Sequence, residues 1–165
     1  MNPTTATPHA PAGHHTVTPY VIVPDARAAI DFYVRAFGAV QTSLSVDDTG
    51  KVRHAEVRIG DSPVMLAEHF EFSGVSAAAP AAIGGRTSMH IYLYVPAVDA
   101  LFAQAIAAGA REVMAVADQT YGDRSGGVVD PFGHVWWIAT HVGALSGRGA
   151  AGYLLQGGVT LLLRA

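Results

Sequence analysis

The chain of 165 residues contains no cysteine, and only 14% of its residues are charged. The absence of cysteine excludes a disulfide framework and any thiolate metal site. A formal net charge of −3 argues against a nucleic-acid-binding protein, because that class usually presents a basic face. No stretch reaches the ~20 consecutive apolar residues that a membrane-spanning helix requires. The expectation is a soluble, cytoplasmic protein without nucleic-acid or membrane partners. The net charge does not exclude binding of a neutral or cationic small molecule.

The two ends of the chain differ in composition from its middle. Residues 1–15 are rich in Pro, Thr and Ala, lack the features of a signal peptide and are predicted to form a disordered leader. Residues 143–165 form an atypical tail that is first glycine-rich and then apolar. Its last nine residues, GGVTLLLRA, favour an extra strand at a sheet edge or on a neighbouring subunit, and a terminus without function is the alternative. The folded domain is therefore expected over 16–142.

In this domain the same order of predicted helices and strands occurs twice. In the first module, over 16–71, a β-branched and aromatic run at 17–23 predicts a strand, and DARAAIDFYVRAFGA has the apolar spacing of a helix. Three further strands are predicted near 39–46, 51–60 and 63–70. The repeated order βαβββ predicts an α+β fold, with tandem modules forming a curved, partly open mixed sheet around a cleft.

The second module, over 88–142, begins with the strand SMHIYLYV and the helix PAVDALFAQAIAAGA. Its remaining strands are predicted near 111–118, 122–130 and 134–141, and the sequence DPFG predicts a tight turn between the last two. Between the modules, residues 72–87 are rich in small side chains and are predicted to form a mobile linker loop. In the strand predicted near 122–130, the pair Gly126–Gly127 is expected to relieve crowding or to permit a bulge.

Strand alternation predicts which side chains face the cleft. In RHAEVRI, the apolar residues Ala55, Val57 and Ile59 should pack under the helix, which leaves His54, Glu56 and Arg58 on the open face. The same reasoning places the residues Val17, Val21 and Val23 inward, and the residues Thr18, Tyr20, His90, Tyr92 and Tyr94 on the open faces. Aromatic side chains with a few polar anchors are typical of a small-molecule pocket, and a solvated ladder of charge pairs is the alternative for the first module.

Several segments together resemble a known family. The repeated βαβββ order, DARAAIDFYVRAFGA, MHIYLYVPAVDALFAQAIAAGA and DPFGHVWWIATH resemble the vicinal oxygen chelate superfamily, which has the glyoxalase and bleomycin-resistance fold. The stretch YGDRSGGVVDPFGHVWWIATH, taken with HAEVRIGDSPVMLAEH, is similar to the PhnB-like branch of this superfamily. The resemblance covers about residues 16–142.

The resemblance also implies where a metal site would lie. Metal enzymes of the superfamily bind a divalent ion through the first and last strand of each module, and these positions fall on Thr18, near Met65 to Ala67, on His90 and on Trp137. Only His90 is a good ligand there, with Glu68 as the nearest further ligand in the first module. No cofactor is therefore expected, and the alternative is a rebuilt site for Zn, Ni, Mn or Fe from His90, Glu68, Glu56 or His54.

Three functions follow as hypotheses. The first is a homodimeric small-molecule-binding protein without the standard metal site that sequesters an aromatic or cationic compound. The second is a divalent-metal-dependent lyase, isomerase or dioxygenase, and the third is an interaction domain whose cleft buries a partner subunit; whether the protein is an enzyme stays open. The candidate cleft residues are Thr18, Tyr20, His54, Glu56, Glu68, His90, Tyr92, Tyr94, Arg124 and Trp137, of which His90 and Glu68 are also the metal candidates.

Overall fold

The computed structural model describes residues 9–143, so most of the predicted tail lies outside the described residues. The first module consists of β1 (Tyr20–Val23), α1 (Ala26–Phe37), β2 (Val40–Val46), β3 (Val52–Ile59) and β4 (Ser62–Glu68). A connection follows with β5 (Phe70–Phe72), β6 (Val75–Ala77) and a 3₁₀ helix (Pro80–Ile83). The second module consists of β7 (His90–Tyr94), α2 (Val98–Ala108), β8 (Arg111–Asp118), β9 (Asp123–Val129) and β10 (Val135–His141). The predicted α+β fold with two βαβββ modules is confirmed.

The connection between the modules is more regular than its composition predicts. Instead of a mobile loop over 72–87, β5 pairs antiparallel with β6, and the 3₁₀ helix follows. The amide of Ala81 donates to the carbonyl oxygen of Phe132 at 3.3 Å, which ties the connection to the DPFG turn of the second module. Backbone hydrogen bonds of this kind are available to any sequence, and small side chains give no local sign of them.

Each module forms its own four-stranded mixed sheet. The strand orders are β1-β4-β3-β2 and β7-β10-β9-β8. In the first sheet β1 runs parallel to β4, and in the second β7 runs parallel to β10. The predicted alternation on β3 is confirmed, because Ala55, Val57 and Ile59 are all buried on the helix-covered side. Val17 contradicts the predicted alternation: it precedes β1 and is 82% exposed, since the strand begins only at Tyr20.

The two helices bring the covered faces of both sheets into one core. The ring of Phe37 on α1 lies 4.6 Å from that of Trp136 on β10, and the ring of Tyr33 lies 5.4 Å from Trp136. On α2, the Gln104 side chain donates to the Arg35 carbonyl oxygen at 2.9 Å, which joins the two helices directly. The covered faces therefore share one core, and the open faces of the sheets lie on its outer sides. Within residues 9–143, no helix is long and apolar enough to cross a membrane.

The glycine pair of β9 serves close packing on both sides of the sheet. A Cβ atom at Gly126 would lie 2.8 Å from Phe102 Cε2 and 2.8 Å from Val116 Cγ2, on the covered side. At Gly127 it would lie 2.8 Å from Cζ3 of Trp137, on the open side. The pairing of β9 with β10 is regular at both glycines, whereas the register shifts lie between β8 and β9. These shifts lie on either side of Met114, which pairs with Gly127, so the structure supports both predicted roles: relief of crowding and a bulge beside the pair.

Candidate functional site

The open face of the second sheet carries a cluster of aromatic side chains. We call it the aromatic face and define it by His90, Tyr92 and Tyr94 on β7 and by Trp137 on β10. The Tyr92 and Tyr94 rings lie 5.0 Å apart, and Trp137 Nε1 donates to His90 Nδ1 at 3.1 Å. Tyr92 is 42% and Tyr94 61% exposed, so a ligand can reach both rings. Flat, exposed rings in fixed positions are suited to stacking on a planar compound.

A buried carboxylate supports this face from the first residue of β9. Asp123 is only 3% exposed, and its Oδ2 accepts hydrogen bonds from the Tyr92 hydroxyl at 3.1 Å and the Tyr94 hydroxyl at 2.9 Å. Its Oδ1 lies 2.8 Å from Nδ1 of His141. The hydrogen bond with His141, opposed by burial and aided by the two tyrosines, holds the pKa of Asp123 below its usual range. An ionised carboxylate only accepts, so Nδ1 of His141 carries the proton.

Asp123 was not among the residues singled out from the sequence. The available signal was strand alternation, which places it on the same side of β9 as Gly127 and hence as Trp137. Nothing local, however, indicated that two tyrosine hydroxyls from β7 would reach it, because β10 lies between β7 and β9 in the sheet.

The same contacts keep the tyrosines of the aromatic face protonated. Burial, followed by the hydrogen bond with Tyr121, raises the pKa of Tyr92, and the hydrogen bond to Asp123 raises that of Tyr94. Both phenols are therefore neutral at physiological pH and act as donors to Asp123. The face offers a ligand uncharged ring surfaces with a negative charge close behind them, an arrangement that favours planar cations.

The lowered pKa of Asp123 predicts a loss of stability in acid. A group whose pKa is lower in the folded state stabilises the fold above its unfolded pKa of about 4, and this contribution is lost as the pH falls from there through the lower pKa of the folded state. We expect the free energy of unfolding to decrease as the pH falls from about 5 through the lowered pKa of Asp123, and to decrease less in Asp123→Asn. Urea unfolding followed by tryptophan fluorescence measures both. The exposed Asp48 provides the control: a decrease as small in Asp48→Asn as in Asp123→Asn would contradict this assignment.

The open face of the first sheet is polar and centres on one carboxylate. We call it the Glu56 face and define it by Tyr20 on β1 and by His54 and Glu56 on β3. Tyr20 meets His54 edge to face with ring centroids 5.9 Å apart. Glu56 Oε1 accepts from the hydroxyl of Thr42 at 2.8 Å, and Oε2 lies 2.7 Å from Nε2 of His14. His14 belongs to the segment predicted to be a disordered leader, of which residues 1–8 lie outside the described residues.

Burial raises the pKa of Glu56, but the hydrogen bonds from Thr42 and His14 outweigh it and hold this pKa below its usual range. The side chain of Glu56 is only 12% exposed. Glu56 is thus an ionised carboxylate at neutral pH, and it can bind a cation.

Two of the predicted cleft residues, Glu68 and Arg124, do not lie on the open faces of the sheets. Glu68 is held at the N-terminus of α1, where its Oε1 accepts from the amide of Ala26 at 3.2 Å. Arg124 forms ion pairs with Asp99 of α2 at 2.7 Å and with Asp118 at 3.0 Å, on the helix-covered side. The contacts of Glu68 with Ala26 and of Arg124 with Asp99 join residues that are distant in sequence, which no local pattern indicates.

The remaining predicted position, Thr18, precedes β1 and donates its hydroxyl to the carbonyl oxygen of His15 at 3.3 Å. No hydrogen bond or ring contact within residues 9–143 joins the Glu56 face to the aromatic face. In a single chain the two halves of the predicted cleft are therefore separate surfaces.

The metal positions implied by the family do not provide a donor set for a divalent ion. His90 uses Nδ1 to accept from Trp137, which leaves only Nε2 for a metal. Glu68 is bonded to the start of α1, and Thr18 has its hydroxyl on a backbone carbonyl. Across residues 9–143, no three His, Asp or Glu side chains come together as metal ligands. One imidazole nitrogen is too few for a divalent ion, which takes four to six ligands.

A groove separates the modules along the free edge of β7. Its volume is about 980 Å³, and it runs between β7, the start of α2 and the β3–β4 hairpin of the first module. The lining is mainly apolar and includes Ile59, Pro63, Leu93, Val95 and Leu101. Within the described chain, β7 pairs only with β10, so its other edge keeps free backbone groups beside this groove.

Comparison with known proteins agrees with this architecture. A protein of Mycobacterium tuberculosis is 45% identical over 127 residues, which cover 76% of this chain and 74% of that protein. The structure of TioX from Micromonospora sp. ML1 matches with a TM-score of 0.62 and 31% identity, over 77% of this chain and 98% of TioX. A PhnB protein from Bacillus cereus matches with a TM-score of 0.57 over 76% of this chain and 99% of that protein; its 18% identity bears on the fold alone.

The family model of the Glyoxalase/Bleomycin resistance protein/Dioxygenase superfamily matches residues 12–138. This range contains the first module, the second module except the end of β10, and all residues of the Glu56 face and the aromatic face. The chain belongs to the Glyoxalase/Bleomycin resistance protein/Dioxygenase superfamily.

Proposed function

We propose that the protein is a metal-free, homodimeric binding protein that sequesters a planar aromatic or cationic small molecule. The observation that carries this proposal is the aromatic face: Tyr92 and Tyr94 are exposed, lie 5.0 Å apart and are held by the buried carboxylate of Asp123. Rings in fixed positions lose little conformational entropy when a planar ligand stacks on them. The negative charge of Asp123 behind the rings favours a ligand that carries positive charge.

The homodimer is part of this proposal because one chain presents two half-sites. The Glu56 face and the aromatic face lie on outer sides of a shared core, so only a second copy can place one opposite the other. The apolar groove beside the free edge of β7 supports such an assembly, since an uncovered strand edge beside apolar surface favours pairing with another chain. We expect the mass in solution to be twice that of the 17.2 kDa chain. A monomer at micromolar concentration, with or without ligand, would overturn this part of the proposal.

The proposal of a metal-free site rests on the available donors. A metal analysis of protein purified without chelators should find no stoichiometric Zn, Ni, Mn or Fe, and addition of these ions should not change the melting temperature. A stoichiometric ion that is lost in His90→Ala would instead favour the metal-dependent lyase, isomerase or dioxygenase.

Ligand binding is tested most directly with a matched pair of planar compounds. Proflavine is a planar aromatic cation at neutral pH, and acridone is an uncharged compound of similar shape. We expect proflavine to bind at micromolar concentration and to quench tryptophan fluorescence, and acridone to bind more weakly because it lacks the charge. If neither these compounds nor a broad set of planar aromatics binds in this range, the proposed function is wrong.

A further inference from the structure

We propose that Glu56 is the subsite for a protonated planar nitrogen base of the ligand, and that His14 of the same chain occupies this subsite until the ligand displaces it. The inference rests on the proposed function and specifies it, because it names the charged group that the ligand must carry and the internal group with which it competes. It follows from the contacts of His14, a residue outside every helix and strand of the fold.

The Glu56 carboxylate is held ready for a donor. Thr42 fixes Oε1 through a hydrogen bond of 2.8 Å, and Oε2 then points to the ring of His14, whose Nε2 lies 2.7 Å away. Since an ionised carboxylate only accepts, Nε2 of His14 must donate. The imidazole is thus a planar N–H donor on a mostly buried carboxylate, which is the chemistry that an amidine or a protonated aminoheterocycle would present.

The contact of His14 is incomplete, as expected for a group that can be replaced. Its Nδ1 is buried and has no hydrogen-bond partner within residues 9–143. Buried polar atoms usually have partners, and an unpaired one costs free energy on the order of 1–3 kcal/mol. Displacement by a ligand would return Nδ1 to water and keep Glu56 paired.

The surroundings of Glu56 are suited to a flat ligand. Tyr20 and His54 form an edge-to-face pair beside it, and His54 is the other titratable group whose charge acts on Glu56. The segment that carries His14 precedes β1, so it can leave the face without breaking the pairing of any strand. The side chain of His14 is 16% exposed, which shows that it covers the carboxylate rather than extending into solvent.

Removal of His14 should therefore increase the affinity for a planar cation. In fluorescence titrations we expect His14→Ala to bind proflavine about tenfold more tightly than the wild type, because the ligand no longer displaces one charge-assisted hydrogen bond. Acridone should bind both proteins equally. His15→Ala is the matched control, since the His15 side chain is exposed and has no hydrogen bond to Glu56. Equal proflavine affinities of His14→Ala and the wild type would overturn the inference.

A second measurement tests the subsite without the unknown ligand. In His14→Gly the space of the imidazole is vacated, and free imidazole should bind there and raise the melting temperature. The wild type and the double variant His14→Gly/Glu56→Gln should show no such rise. If imidazole stabilises His14→Gly while no planar compound binds any variant, the proposed function fails and the Glu56 subsite stands. If imidazole has no effect on His14→Gly, the subsite is wrong whatever else the protein binds.

Discussion

Replacement of Asp130 by alanine is expected to lower the free energy of unfolding by about 4 kcal/mol. Asp130 is 4% exposed and begins the DPFG turn. Its Oδ1 accepts from the amides of Phe132 and His134, each at 2.9 Å, and its Oδ2 accepts from the Tyr33 hydroxyl at 2.9 Å and from Trp136 Nε1 at 3.0 Å. Alanine would leave four donors without this acceptor, and each unsatisfied buried donor costs on the order of 1–3 kcal/mol before water or local movement restores part of it.

The tyrosine in this network connects the two modules, because Tyr33 lies on α1 and Asp130 follows β9. Burial, followed by the charge of Asp130, raises the pKa of Tyr33 well above its usual value, so its hydroxyl remains a donor. Tyr33→Phe removes one of the four hydrogen bonds and should cost only about 1 kcal/mol. Urea unfolding measures both variants, with Asp48→Ala as the control at an exposed aspartate. A loss in Asp130→Ala no larger than in Asp48→Ala would contradict this account.

Removal of the Trp137 ring is expected to weaken binding of proflavine about thirtyfold, or by about 2 kcal/mol, which is typical when an aromatic anchor is truncated. Trp137 lies on the open face above Gly127 and donates to His90. Equilibrium dialysis is the suitable measurement for Trp137→Ala, because it does not depend on the fluorescence that this substitution changes. Phe72→Ala is the matched control, since Phe72 is 72% exposed and lies outside the aromatic face.

A second variant tests whether binding depends on the position of the indole ring and not only on its presence. In Gly127→Val the ring remains, but the new side chain would meet Cζ3 of Trp137, whose distance to a Cβ at this position is only 2.8 Å. The indole ring must then move away from the surface of the sheet. We expect the affinity for proflavine to fall, as in Trp137→Ala. Unchanged binding in both variants would show that the ligand does not contact this part of the aromatic face.

The sequence was most informative where a local period decides the structure. Alternation along β3 correctly separated Ala55, Val57 and Ile59 from the open face, because successive side chains of a strand point to opposite sides. The duplicated βαβββ order was also readable, since turns, helix ends and β-branched runs are signalled within a few residues. The predicted burial of Val17 was wrong because β1 begins at Tyr20, three residues after the start of the apolar pattern.

The contacts that define the sites could not be derived in this way. Glu68 and Arg124 were predicted to face the cleft. In the structure Glu68 accepts a hydrogen bond from the first turn of α1, and Arg124 forms an ion pair with Asp99 of α2. Asp123 holds two tyrosines of β7 across an intervening strand, and His14 reaches Glu56 from a segment that resembled a flexible leader. Each of these contacts joins residues that are far apart along the chain, so no spacing within a short window encodes them.

By itself the sequence thus determined the class of fold and the number of modules. Only the tertiary structure decided that both covered faces meet in one core and that the Glu56 face and the aromatic face point outward. The physical reason is that hydrogen-bonding preference and apolar period act locally, whereas the packing of α1 against Trp136 depends on how two complete modules bury their remaining apolar surface against each other.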